Sequence, residues 1–262
     1  MSEYIHLHDR DTIAGFLQHD PLLHMYAIGD LDDFFWPRTG WYGLIDAGTL
    51  QELILTYDPG DLLVIHALTR RPDRMRRLLA AVTHLLPRHI YGHFSPGVAD
   101  ALAPAYTLES HGHYLKMALT DLIRLAAIDT SGTLPLTPAD RSEIETLFAE
   151  AYPGNWFDPR MLETGQYYGK RLDGRLVCVA GIHVYAPPPR LPVLGNTPPP
   201  PMPRGPGIAT AVTARLCHEL RHTVDQIGLN VRADNQSAIA AYERLGFTRF
   251  AAYEEYDLRA AS

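Results

Sequence analysis

Two stretches far apart in the chain, HIYGHFSPGVADALAPAYTLESHGHYLKMAL from His89 and QIGLNVRADNQSAIAAYERLGFTRFAAYEEYDL from Gln226, carry the same order of signals. Each reads strand, helix, strand, in near-matching lengths. A duplicated unit of this kind predicts an α/β chain of two lobes with similar topology, each a sheet flanked by helices. The alternative is that two unrelated α/β halves share the order. The segments before the two stretches also match. A hairpin signal stands at Asp46-Ala47-Gly48 and another at Asp173-Gly174. An amphipathic helix is expected at Arg74 to Leu86 and a second at Ile208 to His222, where Ile208, Val212, Leu216 and Leu220 recur every fourth residue. Ser2 to Leu31 reads as mainly helical, from Ile13, Phe16, Leu22 and Leu23, and Pro138 to Tyr152 as a further helix. Periodicity lapses over AAIDTSGTLPLT, residues 126–137, which sets the expected domains at 1–126 and 132–262.

Composition narrows the function. At 46% hydrophobic and 20% charged residues the chain is ordinary for a globular protein. A net charge of -7 argues against nucleic acid or an anionic membrane as the main partner, and is mildly favourable to a cationic substrate. No apolar run nears the ~18 residues of a membrane span, and MSEYIHLHDR lacks the apolar core of a signal peptide. Cys178 and Cys217 lie far apart in apolar segments, without metal or redox spacing. They read as reduced core thiols of a cytoplasmic protein. His6 with His8, and His111 with His113, could each point two imidazoles one way on a strand, but neither pair has an evident third ligand, so no metal is expected. Asp30, Asp32 and Asp33 beside Phe34, Phe35 and Trp36 read as a capped helix end, with a groove for a cationic acceptor as the alternative. YYGKR, Tyr167 to Arg171, reads as the start of a strand or as substrate-facing.

The sharpest local feature is RGPGIATAVTARL. Gly205 and Gly207 allow a tight turn and a close backbone approach, and a helix starts at about Pro206 to Ile208. The first N–H groups of that helix have no partner inside it and carry partial positive charge, which suits a diphosphate. Proline and glycine here also simply start helices. There is no Gly-Lys-Ser/Thr for a P-loop, position 210 is Thr where a dinucleotide fingerprint needs glycine, and no G-x-S-x-G elbow exists. Ten of the chain's 21 prolines crowd the stretch from Pro187 to Pro206 just before this helix.

Residues C-terminal to the loop give it context. Asn230 lies in a strand, Asn235 is placed to cap the next helix, Tyr242 is seven residues along, and Gly246-Phe247 end it. Taken together these residues resemble the GNAT superfamily of acyl-CoA-dependent N-acyltransferases. That family's phosphate loop, Gln/Arg-x-x-Gly-x-Gly/Ala, stands here as Arg204-Gly205-Pro206-Gly207-Ile208-Ala209. Its later signature stands as Asn235, Ala238, Tyr242, Gly246 and Phe247. The close resemblance covers roughly residues 140–258, and the first half is similar to a degenerate second copy, as in tandem members. It has only TRRPD where the second copy has the glycine loop. The spacing from Asn196 to Arg204 is that of the family, while TPPPPMP departs from its residue types.

The resemblance implies two lobes with mixed, mostly antiparallel sheets. It also implies acetyl-CoA or another acyl-CoA as donor, and the amine of a small molecule or amino acid as acceptor, attacking directly in a ternary complex. It places the diphosphate on Arg204, Gly205, Gly207, Ile208, Ala209 and Thr210, and pantetheine along Val193, Leu194 and Asn196, with a main-chain N–H near Leu194 polarising the thioester carbonyl. Asn230 and Asn235 would contact CoA, Tyr242 would protonate the leaving thiolate, and His183 is the first-named base for the acceptor ammonium. The alternatives are core roles for Tyr242 and His183, and a CoA-binding or interaction module that kept the fold without turnover. A homodimer is left open.

Overall fold

The computed structural model describes residues 3–151, 157–185, 192–195 and 207–261, with backbone alone for 183–185 and 192–195. The chain starts with β1 (Glu3–Leu7), α1 (Arg10–Leu17), α2 (Met25–Gly29) and the hairpin of β2 (Thr39–Asp46) and β3 (Thr49–Tyr57). Next come β4 (Leu63–Ala67), α3 (Pro72–Val82), β5 (His89–Phe94) and the long β6 (Tyr106–Leu119). After α4 (Leu122–Ala126), β7 (Thr133–Pro135) and α5 (Arg141–Ala151) stands a second hairpin, β8 (Tyr167–Leu172) and β9 (Arg175–Tyr185). The chain closes with β10 (Pro192–Gly195), α6 (Ile208–Leu220), β11 (Gly228–Arg232), α7 (Gln236–Arg244) and β12 (Phe247–Ala260).

Both hairpins form where the turn chemistry put them. Ala47 and Gly48 have φ of 49° and 77°, and Asp173 and Gly174 have 50° and 78°. Two successive positive φ values make a two-residue loop whose twist matches that of the flanking strands. The N-terminus departs from expectation: residues 3–7 are a strand paired antiparallel to β2, with Tyr4 opposite Leu44 and His6 opposite Tyr42. The helical reading failed there because β1 is an edge strand that buries little but Leu7, so its pattern is weak. GVADALAPAY forms only a short 3₁₀ turn at Ala99–Leu102.

The chain divides into two compact units. Unit 1 takes Met1–Lys116, Arg232–Asp234 and Phe250–Ser262, and unit 2 takes Met117–Val231 and Asn235–Arg249. Residues 126–137, the expected linker, thus lie inside unit 2, where Thr133–Pro135 is a strand. The last strand, expected in the second domain, passes from unit 2 into unit 1 after Arg249. Unit 1 holds the strand order β1-β2-β3-β4-β5-β12-β6, with β4 parallel to β5 and β12 antiparallel to β5. One face of that sheet packs on α3 through Ile54, Ile65, Ile90, Phe94 and Leu258 against Met75, Leu78 and Leu79. Unit 2 holds β11-β10-β9-β8-β7, parallel at β10–β11 and antiparallel elsewhere. Both lobes are therefore mixed, mostly antiparallel sheets flanked by helices.

Three residues of unit 2 make its packing testable. Gly246 has φ of 98°, and a Cβ there would come within 2.1 Å of the carbonyl oxygen of Asp121. The Gly246 carbonyl in turn accepts from the N–H groups of Thr120 and Asp121, both at 3.0 Å. Gly246→Ala combines left-handed strain with an unavoidable clash and is expected to cost about 2–4 kcal/mol in urea unfolding. Cys178 and Cys217 are free and buried. Burial pushes the Cys178 thiol up to about 12 and Cys217 in the same direction. Neither should react with a disulfide reagent at pH 8 in native protein, while both react in denaturant; prompt native labelling would contradict the packing.

Candidate functional site

Three adjacent strands of unit 2, β9, β10 and β11, carry part of the candidate site. β10 and β11 run parallel and pair at Val193 with Gly228 and at Leu194 with Leu229. β10 ends at Gly195, while β11 runs on through Asn230 to Arg232. On its other side β10 pairs with β9, where Val193 faces Val184 and Leu194 faces Ile182. His183 is therefore the extra residue of a bulge directly opposite Val193-Leu194. A bulge leaves a residue out of the ladder and re-aims the groups beside it. The bulge is not visible in sequence, since it depends on pairing with another strand.

Gly207 is the N-cap of α6 and has φ of 108°, a conformation glycine adopts without strain. Among the described residues no side chain caps this end; the first helical bond runs from the Ala211 N–H to the Gly207 carbonyl at 2.8 Å. The N–H groups of Ile208, Ala209 and Thr210 precede that bond, so the helix does not use them. Val212, Ala214, Leu216, Cys217 and Leu220 are buried and fix the helix on β8 and β9. The result is a firmly seated helix whose positive end presents three backbone donors, an arrangement able to hold a diphosphate.

On the far side of β11, Asn235 is the N-cap of α7, and its Oδ1 accepts from the Ala238 N–H at 3.1 Å and the Ser237 hydroxyl at 3.0 Å. Its carbonyl oxygen thus serves the helix, and Nδ2 is the atom placed to donate outward. Tyr242 lies two turns further on, on the same side of the helix. It is half-buried, with its ring edge-on to buried Phe247 at 5.8 Å. Val193, Leu194, Gly207, Ile208, Ala209, Thr210, Asn230, Asn235 and Tyr242 all lie in unit 2, on β10, β11 and the two helices α6 and α7. For His183, Val193 and Leu194 the backbone is described; Asn196, Arg204, Gly205 and Pro206 fall outside the described residues.

The lesser candidates resolve into structural roles. Asp30 is the C-cap of α2 and burial pushes it up to about 7; Asp32 accepts from the Phe34 N–H at 2.9 Å, and Asp33 pairs with Arg10 at 2.6 Å. This segment is a capped helix end. In YYGKR, the Tyr167 hydroxyl donates to the Ile182 carbonyl at 3.0 Å and Arg171 pairs with Asp140 at 2.7 Å, which tie β8 to its neighbours. His6 stacks on Tyr42, and His113 lies 3.4 Å from Glu254. Among the described residues no group of three His, Cys, Asp or Glu could hold a metal ion, and no helix is long and apolar enough to cross a membrane.

Known proteins share this architecture. The family described as FR47-like protein matches residues 199–256, the segment running from the end of the proline stretch through α6 and α7 into β12. No curated protein matches the chain significantly. A GNAT-family acetyltransferase structure from Novosphingobium aromaticivorans superposes with a TM-score of 0.56 at 23% identity, covering 80% of this chain and 89% of that one. A tandem GNAT protein from the clavulanic acid biosynthesis pathway gives 0.59 at 17% identity, over 100% and 99%. A GCN5-related N-acetyltransferase from Sphaerobacter thermophilus gives 0.60 at 12%, over 98% and 95%. Both of the latter align along essentially the whole chain, so the likeness of fold extends to both lobes and not only to one.

Proposed function

We propose that the protein is a member of the GNAT superfamily and that unit 2 is an acyl-CoA-dependent N-acyltransferase acting on the amine of a small molecule or amino acid, a reading supported by the FR47-like match and the shared fold. The observation that supports the reading is an α6 whose first three N–H groups have no helical partner, in the same unit as the parallel pair β10–β11. The diphosphate of CoA rests on Gly207, Ile208, Ala209 and Thr210, together with Arg204 and Gly205 before them. Pantetheine runs along Val193, Leu194 and Asn196 as an added strand, and Asn230 and Asn235 donate to CoA. The thioester carbonyl takes a main-chain N–H near Leu194, which steadies the oxyanion formed when the amine attacks. His183, at the bulge opposite, removes the proton that makes the acceptor an ammonium. Tyr242 gives a proton to the departing thiolate. Acetyl is the first acyl group to try.

The expected domains, 1–126 and 132–262, stand in this reading as two ancestral copies of one unit, of which only the second kept a glycine-led helix. In unit 1, α3 starts with Pro72 after Arg71 instead. Unpaired buried thiols agree with a reducing compartment such as the cytoplasm. The test is release of free CoA thiol from acetyl-, propionyl- and butyryl-CoA over a panel of amines and amino acids. Amine-dependent release supports the proposal. No release with any pair, from protein that binds CoA, would leave a binding module on the same fold.

A further inference from the structure

Unit 1 hides a feature that the acyl-transfer reading does not use. The face of its sheet under α1 and α2 should be apolar, yet Lys116 of β6 is 1% exposed there. Around it stand four rings from four elements, each touching the next. Tyr26 of α2 meets His66 of β4 at 6.2 Å, His66 meets His93 of β5 at 4.5 Å, and His93 stacks on Tyr253 of β12 at 5.4 Å and 21°. The Lys116 Nζ lies 5.4 Å from the centre of Tyr26 and 5.3 Å from that of Tyr253, over both faces. Both distances are within the roughly 6 Å at which a ring face attracts a cation. A buried lysine is costly unless its surroundings replace water, so a core position that keeps one is shaped for an ammonium group.

We propose that unit 1 carries an aromatic cage for a primary alkylammonium ion, and that the cage is plugged by the chain's own Lys116. His66 and His93 suit the role because burial holds both well below the ordinary imidazole range, so they add ring faces without adding positive charge. Burial brings Lys116 down to about 7, so the recess holds its amine as the ammonium below that pH and the test is run at pH 6. Beside Tyr26 and His66 lies a further void of about 10 Å³, lined also by His24, Leu17 and Trp41. Removing the whole lysine side chain would leave, among these rings, a recess the length of a butylamine.

Lys116→Gly, which vacates all four side-chain carbons and the amine, tests this. The variant is expected to melt several degrees below the parent, and n-butylammonium chloride is expected to restore the loss in a saturable way, with propylammonium weaker and methylammonium weaker still. Sodium chloride at equal ionic strength and n-butanol at equal concentration should restore little, since the first lacks the shape and the second the charge. The parent and Lys116→Met, whose side chain fills the stem of the cage, should show no response to amines. If Lys116→Gly does not fold alone, butylammonium should permit refolding, read by circular dichroism. Rescue by butanol equal to that by butylammonium would reduce the site to an apolar hole and overturn the proposal. So would the absence of any amine-dependent stabilisation or refolding.

Discussion

Tyr242→Phe lowers kcat by roughly 10²–10⁴-fold while leaving the affinity for CoA within a few-fold of the parent, if Tyr242 supplies the proton to the leaving thiolate. The substitution removes one oxygen and keeps the ring, so the edge-on contact with Phe247 at 5.8 Å is retained and α7 should stay in place. Asn235, which starts the helix, is untouched. A structural role for the hydroxyl predicts a different pattern: a lower melting temperature with kcat little changed. The pH profile separates the two further. Loss of a general acid flattens the alkaline limb of kcat, whereas loss of a packing contact scales the whole profile. An unchanged kcat, with chemistry shown to limit turnover, would return Tyr242 to the core.

Gly207→Val should abolish measurable CoA binding, by a hundredfold or more in Kd, for two reasons that add. At φ of 108° a β-branched residue is strained, so the cap must rearrange and the donors of residues 208–210 turn with it. Each hydrogen bond lost to a charged phosphate is worth about 1.5–3 kcal/mol, so two lost bonds suffice. Gly207→Ala should fall between parent and valine. Calorimetric titration at fixed salt reads both, and circular dichroism checks that α6 is still folded, as its buried residues predict. Valine binding CoA as tightly as the parent would place the phosphates elsewhere.

How legible these features were in the sequence depended on how local their causes are. Asp46-Ala47-Gly48 and Asp173-Gly174 announced their hairpins because positive φ is a demand on single residues. The same holds for Gly207 and for Asn235, whose cap bond spans only three residues. β1 was missed because its pairing with β2, not its own pattern, makes it a strand. The passage of β12 into unit 1 was missed for the same reason: nothing within FAAYEEYDL says which sheet it joins. The bulge at His183 exists only relative to Val193-Leu194. Lys116 was the least legible of all, since GHYLKMAL offers it as an ordinary polar residue of a strand. The rings that enclose it come from positions 26, 66, 93 and 253.

The central claim is that unit 2 alone, at the N-terminus of α6, receives acyl-CoA. A crystal structure of the full chain grown with CoA tests it most directly. The account predicts diphosphate density within hydrogen-bonding distance of the backbone N–H groups of Ile208, Ala209 and Thr210, with pantetheine running beside Val193 and Leu194. Density for CoA against residues 68–75 of unit 1, at the start of α3, with none at α6, would contradict it.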